Sequence, residues 1–304
     1  MPAGLADDDD REWDAALAAA PFVPLQQSRP YGLAAKRRGR RLARLVATRD
    51  GAPVAFVQAA TRRIGPLDAI TFAARGPVAI APDPTALAGL MLGLRRPWPT
   101  LLLLAPELEA GATATATLRG ARLRPVMTGS HVALVELGGD LRVRLGQKWR
   151  NRLVRAEAAG LRIEIARGGR HLDWLLAAHG RVMARKRFRG PPPEFVADAV
   201  AAADPVDVFV VAALRRSVPV AGALVLRHGR AATYWIAAAE PEGRQAQAGN
   251  LVLWRAMLAL RDAGAATLDL GLVDTDRSPD LARFKLGTGA AVRTLCGTWT
   301  PCPV

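Results

Sequence analysis

Apolar side chains at Leu251, Leu253, Trp254, Met257, Leu258 and Leu260 form a set too broad for a surface helix and suited to one packed against a sheet. Asn250 stands before it as an N-cap and Gly264 ends it. Thr267-Leu268-Asp269-Leu270-Gly271 then reads as a short buried strand, and a loop holding Asp274, Asp276 and Asp280 leads to Phe284-Lys285 within FKLGTG. Upstream, Leu42 to Thr48 and Pro53 to Ala60 are apolar runs split by Arg49-Asp50-Gly51, the pattern of a β-hairpin. Near the start, Asp7 to Asp10 reads as a solvated lead-in, Arg11 to Ala20 as a helix containing Trp13 and Leu17, and Pro21 to Tyr31 as a loop. Gly32 to Arg41 follows as a helix or turn carrying Lys36, Arg37, Arg38, Arg40 and Arg41. Gln147 to Gly160 predicts an amphipathic helix with Lys148, Arg152 and Arg155 on one face and Trp149, Leu153 and Ala156 on another. Leu161 to Ile165 predicts a strand, His171 to Phe188 a long helix ending in Arg185-Lys186-Arg187, and Glu194 to Ala203 a further helix beyond the break at Pro191 to Pro193.

These elements repeat. At a constant shift of 166 positions (211 minus 45), Arg49, Pro53, Val54 and Ala55 fall on Arg215, Pro219, Val220 and Ala221. With no gap, Ile70 meets Ile236 and Leu87 meets Leu253. Met91, Leu92, Leu94 and Arg95 meet Met257, Leu258, Leu260 and Arg261, and Leu102 and Leu104 meet Leu268 and Leu270. Because the order of elements agrees as well, the chain reads as two copies of one α/β unit, residues 1–139 and 140–304.

At 304 residues, half of them apolar, the chain is long enough for two domains with real cores and is not disordered. There is no long apolar run, and the acidic start is unlike a signal peptide, so a cytoplasmic protein is expected. Cys296 and Cys302 lie close together at the end with no CxxC and no histidines near them, and read as free thiols. A formal charge of +15 implies attraction to a polyanion: nucleic acid, a phosphate-bearing substrate, or an anionic membrane surface.

No GxGxxG, GxxxxGK[ST], HExxH or GxSxG motif is present, and His131, His171, His179 and His228 are scattered without ligand spacing. A hydrolase triad or a metal site is therefore not expected. Of 42 basic residues only Lys36, Lys148, Lys186 and Lys285 are lysines, in a chain whose Arg, Ala and Gly bias is the kind a GC-rich genome produces. A lysine retained against that bias marks a place where a compact ammonium is needed, or a surface position that has not drifted. Arg244 to Asn250 lies between a strand and a helix, where amides can bind a phosphate or an acyl oxygen. Arg244 and Gly249 partly match the Q/R-x-x-G-x-G/A pyrophosphate loop of acetyltransferases, without its middle glycine.

Taken together, Lys148-x-Arg150-Asn151-x-x-x-Arg155-Ala156-x-x-x-Gly160, Asn250-Leu251-x-Leu253-Trp254, Asp269-Leu270-Gly271 and Phe284-Lys285-x-x-x-Gly289 resemble the FemABX family of peptidoglycan aminoacyltransferases. Pro24 to Ser28, Tyr31, Gly39 and Arg75-Gly76-Pro77 extend the likeness through the first half. The resemblance implies two tandem GNAT-like domains, each a mixed, mostly antiparallel sheet flanked by helices. It also implies transfer of an amino acid from aminoacyl-tRNA to an amine such as that of a peptidoglycan precursor, with no cofactor and no metal, and peripheral contact with the inner face of the membrane. By that likeness Lys285 is the oxyanion's cation with Phe284 beside it, and Lys36, Lys148, Arg150, Arg155, Arg244, Asn250 and Asp269 bind substrate. The family's first-helix lysine falls on Ala35, one place from Lys36. Asp269, Asp274 and Asp276 are the carboxylates at hand for a base, and equally suit cap or loop roles. Acyl transfer from acetyl-CoA or another acyl-CoA is the alternative reading, and a non-catalytic RNA- or membrane-binding protein is a third.

Overall fold

The computed structural model describes residues 10–64, 67–81, 83–94, 101–186 and 190–302; the acidic lead-in at Asp7 to Asp9 lies outside them. Helix α1 (Asp10–Ala19) and α2 (Arg29–Arg37) precede β1 (Arg41–Arg49), β2 (Ala52–Ile64), β3 (Leu67–Ala74) and the two-residue β4 (Val78–Ala79). Then come α3 (Pro84–Gly93), β5 (Leu101–Ala105), α4 (Ala112–Gly120), β6 (Leu123–Met127) and β7 (His131–Glu136). The order continues with α5 (Leu141–Arg144), α6 (Gln147–Glu157), β8 (Arg162–Ala166), α7 (Arg170–Lys186), α8 (Pro193–Ala202), β9 (Val208–Arg215), β10 (Val218–His228) and β11 (Ala231–Ala239). Short α9 (Pro241–Gln245), α10 (Ala248–Asp262), β12 (Thr267–Val273), α11 (Pro279–Leu286), β13 (Ala291–Thr294) and β14 (Thr298–Pro301) complete the chain.

Two compact units result, residues 1–131 with 293–304, and residues 132–292. The first is built on a sheet of order β1-β2-β3-β5-β14-β6, the second on β13-β7-β12-β11-β10-β9-β8. Local chemistry explains the hairpins: Asp50 and Gly51 have φ of 52° and 79°, and Arg216 and Ser217 have 48° and 68°, the left-handed pair that a tight turn between right-twisted strands requires. The expected division at residue 139 differs from the observed one at the last strand of each copy. The shift of 166 carries β7 onto β14 (298 minus 132), yet β14 lies between β5 and β6 while β7 joins the second sheet beside β12. The two equivalent strands are thus exchanged, a choice invisible to the repeat because it gives the order of the elements and not the sheet that each strand enters.

Each unit has its own core. In the second, α10 buries Leu251, Leu253, Met257 and Leu260 against Val211, Ala223 and Val225 of β9 and β10, as its broad apolar set required. Full burial of such a side chain contributes about 1.5–3 kcal/mol. Helix α10 begins at Ala248, with Gln247 as N-cap at φ 54°, so Asn250 sits inside the first turn instead of capping it. Gly264, φ 83°, ends the helix as expected. Likewise α2 starts at Arg29, within the stretch expected to be loop, because Pro30 suits the first helical turn. Among the described residues no helix is long and apolar enough to cross a membrane and no side-chain group is arranged to hold a metal. Each histidine has a protein partner, and neither Cys296 nor Cys302 forms a disulfide.

Candidate active site

The second sheet opens where its parallel strands meet. β11 and β12 pair only over Ala231–Thr233 with Thr267–Asp269, after which β11 runs on to Ala239 and β12 to Val273 unpaired with each other. Trp235 is an extra residue against β10, between the Ile236–Leu224 and Tyr234–Val225 pairs, and a bulge of this kind bends its strand. The first unit has the corresponding irregularity at Ala69, but there the parallel pair forms beyond it, over Ile70–Ala74 with Leu101–Ala105. A bridge from Gly76 to Ala105 and the Arg75–Glu107–Arg293 ion pairs then cover the end. One copy is zipped shut and the other is open.

Lys285 stands on the open pair. Its side chain, 8% exposed, donates from Nζ to the Leu272 carbonyl of β12 at 2.7 Å. Asp269, 2% exposed, accepts from the Gly271 amide at 2.6 Å, and Gly271 itself has φ 74°. Burial pulls the Lys285 ammonium down to about 8, and the Asp269 carboxylate works against that shift. An ammonium so placed is poorly hydrated and available to a developing negative charge, which is the electrostatic requirement of acyl transfer. At the shift of 166 (285 minus 119), Lys285 falls on exposed Arg119, Asp269 on Leu103 and Asn250 on Pro84, so the first copy lacks every one of these groups.

The glycines of FKLGTG hold α11 in place. Trp149 of α6 donates from Nε1 to the Phe284 carbonyl at 3.1 Å, its ring 6.2 Å from that of Phe284. A Cβ on Gly287 would lie 2.7 Å from Trp149 Cδ1, and one on Gly289, φ 81°, 2.5 Å from the Arg144 carbonyl oxygen. Gly146 donates its amide to the Gly287 carbonyl at 2.9 Å. Gly289→Ala is therefore expected to lower stability by about 1–3 kcal/mol, read as a fall in Tm, because left-handed strain and a backbone collision coincide. Gly264→Ala, equally left-handed at φ 83° but with nothing within 4 Å, isolates the backbone cost and should fall less.

The remaining sequence-predicted residues are dispersed. Lys148 and Arg155 are exposed on α6, as the amphipathic pattern required, whereas half-buried Arg150 donates to the carbonyls of Val143 and Leu145. Arg244 is exposed and donates to the Ala239 carbonyl; Asn250 is 4% exposed with its Nδ2 unpartnered. Lys36 is exposed on the last turn of α2, in the first unit. Asp274 accepts from the amides of Asp276 and Arg277, a loop role. Trp149, Gly287 and the Leu272 carbonyl were not singled out for the site, since only the fold brings α6 and β12 to α11.

Residues 144–285 match the family model described as "Acetyltransferase (GNAT) domain". The whole chain superposes on the crystal structure of FemX with a TM-score of 0.81 at 16% identity, covering 95% of each chain. Its fold is a tandem GNAT fold, similar to that of FemX. L-PGS from Bacillus licheniformis matches with a TM-score of 0.59 at 13% identity over 96% of this chain and 92% of that one. A tandem GNAT protein from the clavulanic acid biosynthesis pathway matches at 0.57 and 13% over 100% and 98%. No curated protein matches in sequence. Within the tandem GNAT fold, the family model ends on Lys285 itself, so it spans the open strand pair.

Proposed function

We propose that the protein is an aminoacyltransferase that moves an amino acid from aminoacyl-tRNA to an amine acceptor, a peptidoglycan precursor peptide being the first candidate, and that it works in the cytoplasm. The observation that carries this reading is the buried Lys285 ammonium on the diverging strand pair of one copy only. In the reaction the amine attacks the ester carbonyl, a tetrahedral oxyanion forms, and collapse gives an amide while the tRNA 3′ oxygen leaves and takes up a proton. Aminolysis of an ester runs downhill, so the protein has chiefly to hold the partners in line and stabilise the oxyanion. Lys285 is assigned that charge, with Phe284 and Trp149 fixing its helix. The net charge of +15 suits a tRNA donor, whose phosphates attract it with a strong salt dependence.

Transfer from an acyl-CoA is the second reading, favoured by the GNAT domain match. Against it, the amides of Arg244, Ala246, Gln247 and Asn250 already donate to Glu240, Glu242, Arg244 and Gln247 carbonyls, leaving those four without a donor for a pyrophosphate. Labelled aminoacyl-tRNA and acetyl-CoA offered in parallel separate the two. Amide product from the charged tRNA alone is expected; product from acetyl-CoA alone transfers the site to the other donor.

The Lys285 titration sets the pH dependence. The ammonium is lost as pH rises through about 8, so kcat/KM should fall there. Stability moves oppositely: between about 8 and the ordinary lysine value near 10.4 the unfolded chain holds the extra proton, so stability rises with pH in that window. Asp269→Asn removes the charge that supports the ammonium and should move the falling limb to lower pH. A rate that stays flat to pH 10 in the wild type would remove Lys285 from the role.

A further inference from the structure

Only part of the outer face of the first sheet is covered. Helix α1 packs on β1 and β2, where Trp13 meets Phe56 edge-on at 5.2 Å and Val46 and Val78 join them in a small core. Further along the sheet, Ala73 of β3 and Leu102 and Leu104 of β5 point into the core that α3 closes, so by strand alternation Ile70, Phe72 and Leu101 point the other way. Ile70 and Leu101 lie directly opposite each other, and the three side chains are 36%, 40% and 50% exposed. Arginines border them on both sides. Exposed Arg62 of β2 lies opposite Ile70. Beyond β5, Trp299 of β14 turns into the core against Leu104, which turns Thr300 outward together with its partner, exposed Arg124 of β6. Met127, 64% exposed, stands on the same face opposite Thr298. We propose that this face docks the protein on an anionic lipid bilayer, the apolar side chains entering the boundary of the acyl chains and the arginines meeting the headgroup phosphates.

Large apolar side chains left together on a sheet face mark an interaction surface, since a lone exposed leucine is ordinary and a contiguous group is not. The occupant must match both the apolar centre and the basic border. A bilayer bearing anionic lipids is apolar within and negative at its surface, and peripheral binding grows with the apolar area buried and with the attraction of each nearby arginine to the headgroups. Arginine suits the border because its long stem lies along apolar surface while its fork reaches phosphate. A second copy of the chain matches poorly: each copy carries a formal charge of +15, and stacking two such faces would bring arginine borders together. Single-stranded RNA meets the same charge but calls for stacking rings, and Phe72 is the one aromatic among Ile70, Leu101 and Met127. Docking of this kind does not depend on the transfer reading, because the face belongs to the first sheet and uses none of the groups around Lys285.

The test is cosedimentation of the full-length protein with vesicles of phosphatidylglycerol and phosphatidylcholine in equal parts, and with vesicles of phosphatidylcholine alone. Saturable binding to the mixed vesicles is expected, at least about tenfold weaker on the neutral ones. Phe72→Ser with Leu101→Ser should weaken binding to the mixed vesicles at least about tenfold, and Arg62→Gln with Arg124→Gln about tenfold, with Tm unchanged in the second pair. The arginine pair carries the test if the serine pair folds poorly. Arg255→Gln with Arg277→Gln, exposed positions of the second unit, removes the same charge elsewhere and should stay within about threefold of the wild type. No binding to the mixed vesicles, wild-type binding in either of the first two pairs, or an equal loss in the third would overturn the proposal. A concentration-dependent dimer, or binding of a short single-stranded RNA, that the serine pair abolishes in a protein indifferent to vesicles would overturn it too, and would give the face to a second copy or to RNA.

Discussion

A chain ending at Val292 is expected not to fold cooperatively. Removing residues 293–304 deletes β14, which lies between β5 and β6 in the first sheet and pairs through Thr298, Trp299, Thr300 and Pro301 with Met127, Pro125, Arg124 and Leu123. Trp299, 3% exposed, packs in the first core with Leu102, Leu104, Leu118 and Leu123. Loss of a buried tryptophan alone costs about 3–5 kcal/mol, against a total stability of about 5–15 kcal/mol. The deletion also strands β6 and exposes the edge of β5. The reciprocal dependence holds for the second core, where Ala133 and Val135 of β7 are buried. Fragments 1–139 and 140–304, cut where the repeat alone would divide the chain, should each lack a cooperative thermal transition by circular dichroism. A fragment 1–139 that melts cooperatively would show that β7 can return to the first sheet and that the exchange is not required.

Lys285→Met is expected to lower the transfer rate by about 10²–10³, the effect of removing one preorganised oxyanion donor. The methionine keeps the length and apolar stem of the side chain, so Phe284, Trp149 and the glycines of the segment stay packed. The Leu272 carbonyl loses its 2.7 Å donor, at a cost of about 1–3 kcal/mol in stability, too little to account for the rate. Lys285→Arg should not restore activity, because a planar fork cannot occupy the same buried point on the Leu272 carbonyl and the guanidinium does not share the ammonium's compact charge. Variant activity within tenfold of wild type, with a lowered Tm, would return Lys285 to a purely structural part.

Periodicity made the elements legible: the hairpins, α6, α7, α8 and α10 lie within a few residues of where apolar spacing put them, and the repeat exposed two equivalent units. Asn250 reads as a cap from its residue type, but Gln247 in the left-handed region starts the helix a turn earlier, and no residue preference announces that. Strand exchange escaped because the repeat gives the order of the elements and not the sheet that β7 or β14 enters. Lys285 was legible as a lysine kept in an arginine-rich chain; its partner was not, since a backbone carbonyl such as that of Leu272 carries no signature in sequence. Nor could spacing reveal that the first copy is closed, which depends on where β5 meets β3 relative to the irregularity at Ala69.

The most direct test is the single-turnover rate of transfer from labelled aminoacyl-tRNA, measured for the wild type, Lys285→Met and Arg119→Met, the last altering the equivalent position of the closed copy. Loss of about 10²–10³ in the first variant and a wild-type rate in the second are expected. Equal rates in all three, or a loss confined to Arg119→Met, would contradict the account.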